Sequence, residues 1–115
     1  MGDAFSVPDE VELLDFFGTE AVERSVEDGY WCYEASDGGG VTLRFSFHLF
    51  DRSVQTAIRV KGIEIATVSH EGAREMAVDG TLLRCRFSYQ GAEGKLVLSV
   101  TDSIKIEWWS LRADK

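Results

Sequence analysis

Apolar and polar residues alternate most regularly between residues 41 and 60. Val41, Leu43, Phe45, Phe47 and Leu49 fall on every second position, with Thr42, Arg44, Ser46 and His48 between them. A period of two places those five apolar side chains on one face of an extended strand. Val54, Thr56, Ile58 and Val60 repeat the pattern after the polar break at Asp51-Arg52, which makes the pair a β-hairpin. Full burial of the first five would contribute on the order of 10 kcal/mol before entropy is subtracted.

The same rhythm marks strands at about 30–36, 41–50, 53–61, 63–69, 81–89, 95–101 and 104–111. Lys61-Gly62 and Asp79-Gly80 read as tight turns, and Gln90 to Gly94 as a loop. Residues 73–78 suit a short strand or a helical turn. Residues 19–27 suit a second helix capped by Thr19, or an edge strand carrying Val22, Arg24 and Val26; the extended form is favoured. A helix is expected over about 8–17, with Pro8 in its first turn, acids at its positive end and Gly18 as its stop. Val11, Leu14 and Phe17 define its apolar face, widened by Leu13 and Phe16. Loops this short join antiparallel neighbours, because parallel crossovers need a dozen residues or more. The expected fold is therefore mainly β. About seven or eight antiparallel strands form a meander that makes a sandwich or small barrel, with a short amphipathic N-terminal helix packed on it, in one domain over residues 1–115.

Composition adds constraints on partners. An apolar share of 44% against 28% charged residues is ordinary for a globular chain of 115 residues. The net charge of −8, from 20 acids and 12 bases, opposes nucleic-acid backbones and anionic membrane surfaces. Arg44, Arg59, Lys61, Arg84 and Arg86 sit where a two-faced sheet puts polar residues, and scattered charge is the simpler account than a basic stripe. Cys32 and Cys85 fall inside strand patterns, as buried reduced thiols do, although a disulfide between them is the alternative. The opening Met1-Gly2-Asp3-Ala4-Phe5-Ser6 lacks a secretory apolar run, and its loose match to an acylation signal has no basic patch beside it. A cytoplasmic location follows from these readings.

Candidate chemistry is sparse. His48, His70, Cys32 and Cys85 lie singly on separate elements, without the close ligand pairs of a zinc site, and neither thiol looks activated. Asp37-Gly38-Gly39-Gly40 leads into a strand and lacks the Lys-Ser/Thr ending of a phosphate loop, so it reads as a hairpin turn. Asp28, Asp37, Asp51, Asp79 and Asp102 recur in turns, where aspartate is favoured for local hydrogen bonding; no calcium-loop spacing accompanies them. Nothing fixes the separation of carboxylates such as Glu64 and Glu107. No catalytic, cofactor-binding or metal residues are assigned, and no cofactor is expected.

The aromatic residues carry the functional reading. Neighbours on a strand face opposite ways, so one of Trp108 and Trp109, and one of Tyr30 and Trp31, must point outward. Such a ring is covered by the helix or a second copy, or is offered to a partner. Tyr30, Trp31, Tyr33, Trp108 and Trp109 are the candidate interaction surface. The expectation is a non-catalytic binding protein with an acidic, aromatic-bearing surface that neutralises or adapts to a protein partner, as toxin-neutralising immunity proteins do; the analogy rests on charge and architecture alone. The alternative is a β-barrel carrier of a small ligand, an enzyme being the remotest reading. A homodimer through an exposed strand or tryptophan face is a further expectation.

Overall fold

A computed structural model describes residues 4–112, with side chains through Ser110. The acylation-like opening at residues 1–3 therefore lies outside the described residues. Helix α1 runs Glu10–Phe17 and is followed by β1 Glu23–Ser25, β2 Tyr30–Ser36, β3 Val41–His48, β4 Ser53–Val60 and β5 Ile63–Glu71. The chain continues through β6 Ala73–Asp79, β7 Leu82–Tyr89, β8 Ala92–Ser99 and β9 Lys105–Arg112. Strands β1 to β5 form one antiparallel sheet in chain order, and β6 to β9 a second. The sheets do not close on themselves, so the choice between sandwich and barrel falls to the sandwich.

The alternation works as read. Leu43, Phe45 and Phe47 are buried on the inner face of β3, opposite Leu83, Cys85 and Phe87 of β7 and Leu96 and Leu98 of β8. His70, at the end of β5, stacks on Phe87 across the gap, ring centroids 4.5 Å apart. Side chains of both sheets fill the interior that a ligand carrier would have kept open.

Chain reversal is tightest at Gly72, where the chain leaves one sheet for the other. Its φ is +73°, and a Cβ there would lie 2.3 Å from the carbonyl oxygen of Ser88. Only glycine tolerates both the left-handed backbone and that approach. Ser88 donates its N–H to the Gly72 carbonyl at 2.9 Å, tying β5, β6 and β7 together at the crossing.

Several boundaries differ from expectation. Gln90 and Gly91, at φ 51° and 79°, complete a two-residue turn, so β8 starts at Ala92 rather than near 95. β3 ends at His48 instead of 50, because the chain turns through Leu49 to Arg52. Residues 73–79 are a strand, and with the short edge strand β1 the described residues hold nine. Pro8 lies just before the helix. Asp9 is its N-cap, the carboxylate accepting the N–H of Glu12 at 2.9 Å.

The helix turns only part of the expected face inward. Leu13 and Phe17 are buried, whereas Val11 is 73% and Leu14 42% exposed. Phe17 stacks on Tyr33 at 4.7 Å and leans on Phe45 at 5.9 Å. Leucine and phenylalanine at i and i+4 remove more apolar area from water than the Val11–Leu14 pair, and this decides the rotation of so short a helix. No helix among the described residues is long and apolar enough to cross a membrane.

Candidate functional site

The outer face of the five-stranded sheet carries the polar half of each alternating strand. Register aligns Cys32 of β2 with Ser46 of β3 and Gln55 of β4, and Tyr30 with His48 and Ser53. Toward one end Arg44 is held by Glu23 at 2.9 Å and Glu34 at 2.7 Å, and these groups roof the fully buried Cys32. Tyr30 donates its hydroxyl to Glu23 at 3.2 Å. Burial, and after it the nearby Cys32 and Glu23, pushes the Tyr30 phenol up to about 12.

Toward the other end the sheet opens into a cleft of about 840 Å³. Its floor is Tyr30, Ser46, His48 and Gln55, and the rings of Tyr30 and His48 lie 4.6 Å apart. The β1–β2 turn adds Glu27 and Asp28, the β3–β4 turn Phe50 and Asp51, and the end of β5 Glu71. Phe50 is 71% exposed, yet its ring rests over Gly29, where an added Cβ would come within 3.1 Å of it. Asp28 accepts the Ser25 hydroxyl at 2.7 Å. Among the described residues no Lys or Arg lines this cleft.

Elsewhere cations meet carboxylates of the same chain. Arg24 pairs with Glu10 at 2.9 Å, Arg59 with Glu64 at 4.0 Å, Arg84 with Asp79 at 3.8 Å and Arg86 with Glu75 at 3.1 Å. With Arg44, four of the five bases weighed above as a stripe are thus neutralised locally. Glu27, Asp28, Asp51 and Glu71 at the cleft are among the carboxylates with no ion pair among the described residues.

The five aromatic residues singled out from sequence are not brought to one surface. Tyr33 is 2% exposed, inside the core. Trp31 is half-buried against Phe47 at 5.7 Å and donates its indole N–H to Glu10 at 2.7 Å, so the N-terminal helix covers it. The indole, then Arg24, hold the Glu10 carboxyl below its usual range. Tyr30 faces the cleft. Trp108 lies opposite Leu96, on the core side of the edge strand β9, and Trp109 lies opposite Lys95, on the outer side; they are 39% and 48% exposed. Strand alternation shows which neighbours point apart but not which side a helix will cover.

The thiols and imidazoles are dispersed too. Cys32 and Cys85 are free and buried in different sheets; His48 faces the cleft while His70 faces the core. Burial pushes both thiols up and the His70 imidazole down. Glu64 and Glu107 also belong to different sheets. Among the described residues no three His, Cys, Asp or Glu side chains converge as metal ligands would. From the sequence Asp51 is only a turn residue and Glu71 is given no role. Their turn and strand-end positions were visible, but their convergence depends on three loops meeting.

These features define an antiparallel two-sheet sandwich with an N-terminal helix and an acidic cleft on its outer face. No protein-family model and no curated protein matches the chain. Among solved structures, a chain of the contact-dependent growth inhibition toxin–immunity protein complex from Klebsiella pneumoniae 342 shares the fold. The TM-score is 0.83 at 24% identity, over 92% of this chain and 96% of that one.

Proposed function

We propose that this chain is an immunity-type protein that acts by binding and neutralising a protein toxin rather than by catalysis. What carries the reading is a fold shared over nearly its whole length with a chain of a toxin–immunity complex. The charge of −8 supports it, as does the acidic cleft on a sheet face not covered by any described segment. A surplus of one sign suits a partner of the other, steering encounter and rejecting wrong partners. A cytoplasmic location belongs to the same reading. The test is expression in a bacterial host beside each of a panel of contact-dependent growth inhibition toxin domains. The expected result is relief of growth arrest for one toxin together with a one-to-one complex in size-exclusion chromatography; protection against none of the panel, with no complex, overturns it.

A second reading concerns β9. Trp108 and Trp109 stand exposed on a strand paired on one side only among the described residues, and such an edge invites another strand. Pairing with a second copy is tested by light scattering at two concentrations. A mass that doubles in the wild type and not in Trp109→Lys supports it, and a monomer at both concentrations removes it.

A further inference from the structure

We infer that the cleft on the outer face of the five-stranded sheet is a receptor for arginine side chains carried on a loop of the protein partner, an inference that rests on the binding role proposed above. Glu27, Asp28, Asp51 and Glu71 border the cleft, and none of the four has an ion pair among the described residues, whereas the arginines of neighbouring strands are paired within the chain. Bringing these carboxylates to one rim opposes folding slightly, and a cation in the cleft relieves that repulsion.

The floor of the cleft offers a polar group as well. Ser46 is 8% exposed and lies on the cleft side of β3, and its hydroxyl, open to the cleft, makes no hydrogen bond among the described residues. A guest that fills the cleft takes that hydroxyl out of water and has to supply it with a hydrogen bond. The hydroxyl oxygen accepts from an N–H donor, and so do the carboxylates around it.

Shape and ring chemistry select the guest. A volume of about 840 Å³ far exceeds what a metal ion needs, and the acidic side chains do not converge as ligands. Tyr30 on the floor and Phe50 at the rim present aromatic surface, and Phe50 is steadied over Gly29 despite its exposure. A planar guanidinium stacks on such rings while its N–H groups reach carboxylates and a hydroxyl together. An ammonium is a compact, strongly hydrated point charge without that geometry. Nucleic acid is refused by the same charge that attracts arginine.

The test needs no toxin. Amide chemical shifts of the isotope-labelled full chain are followed during titration with a blocked Gly-Arg-Gly-Arg-Gly peptide, its Gly-Lys-Gly-Lys-Gly counterpart, and calcium chloride. The arginine peptide is expected to shift Asp28, Ser46, His48, Asp51 and Glu71, to bind more tightly than the lysine peptide, and to weaken as salt rises. Asp51→Asn with Glu71→Gln should weaken it by about five-fold, the worth of two partly exposed ion pairs. Phe50→Ala should remove the preference for arginine over lysine. All three side chains are exposed, so an unchanged thermal midpoint checks that the variants fold. Shifts on another face, equal binding by the double carboxylate variant, no preference for arginine, or saturable calcium binding at the cleft would each overturn the assignment. A toxin complex that forms without peptide binding here removes this inference and leaves the immunity reading standing. Peptide binding here, with no toxin neutralised, does the reverse.

Discussion

Single residues at two positions set conditions the rest of the chain obeys. Gly72→Ala introduces a Cβ 2.3 Å from a backbone oxygen in a left-handed conformation, so backbone has to shift to admit it. The cost is expected at about 3 kcal/mol or more, read as a lowered urea midpoint. Gly62→Ala, with the same sign of φ and nothing within 4 Å of the added carbon, should cost only about 1 kcal/mol. His70 is the second. Burial against Phe87 lowers its pKa in the folded state, and its Nδ1 has no partner. The unfolded chain therefore takes up a proton more readily than the folded one. Stability is full above the ordinary histidine value of 6.5 and falls as pH drops below it. The urea midpoint at pH 5.5 should lie below that at pH 7.5, and His70→Phe should flatten this limb of the profile. Neither requirement was legible in the chain: a glycine after Glu71 and a histidine in a strand are common, and their meaning comes from Ser88 and Phe87 in the other sheet.

Among the elements, strands were readable and the helix face only in part. A strand has two faces and a rigid period, so Leu43, Phe45 and Phe47 announce the core without help. A helix of two turns has several apolar residues around its circumference, and the sheet beneath selects among them. The selection predicts Phe17→Ala to cost about 3–5 kcal/mol, as an emptied aromatic site does. Val11→Ala, on an exposed side chain, should fall within about 0.5 kcal/mol of wild type. Paired denaturation curves decide between them, and a large loss at Val11 would restore the face inferred from spacing. Turn chemistry behaves likewise. Asp37 opens the Gly38-Gly39-Gly40 turn and accepts the N–H groups of Gly39 and Val41, as its type suggests. It also accepts the N–H of Ile104, just before β9 in the connection from β8, at 3.4 Å, which local sequence does not reveal.

Across the whole molecule, two properties invite measurement. Cys32 and Cys85 are 0% and 1% exposed, one to each sheet, and burial disfavours both thiolates. In native buffer a thiol reagent should modify neither at an appreciable rate, and both should react in urea, the rate tracking global unfolding. Rapid labelling of one thiol in native buffer would show that its sheet opens separately. Net charge acts at the same scale. Association with a basic partner should slow by about ten-fold or more between low and high salt while dissociation changes little, as expected of steered encounter. Strand periodicity, short connections and the excess of acids are local or additive quantities, so they could be read from the order of residues: an antiparallel β fold of strongly negative charge. The cleft, the buried face of α1, the dispersal of the five aromatic residues and the strict need for glycine at 72 arise where segments far apart in the chain meet. Such meetings depend on how two twisted sheets and their loops pack in three dimensions, which no local spacing encodes.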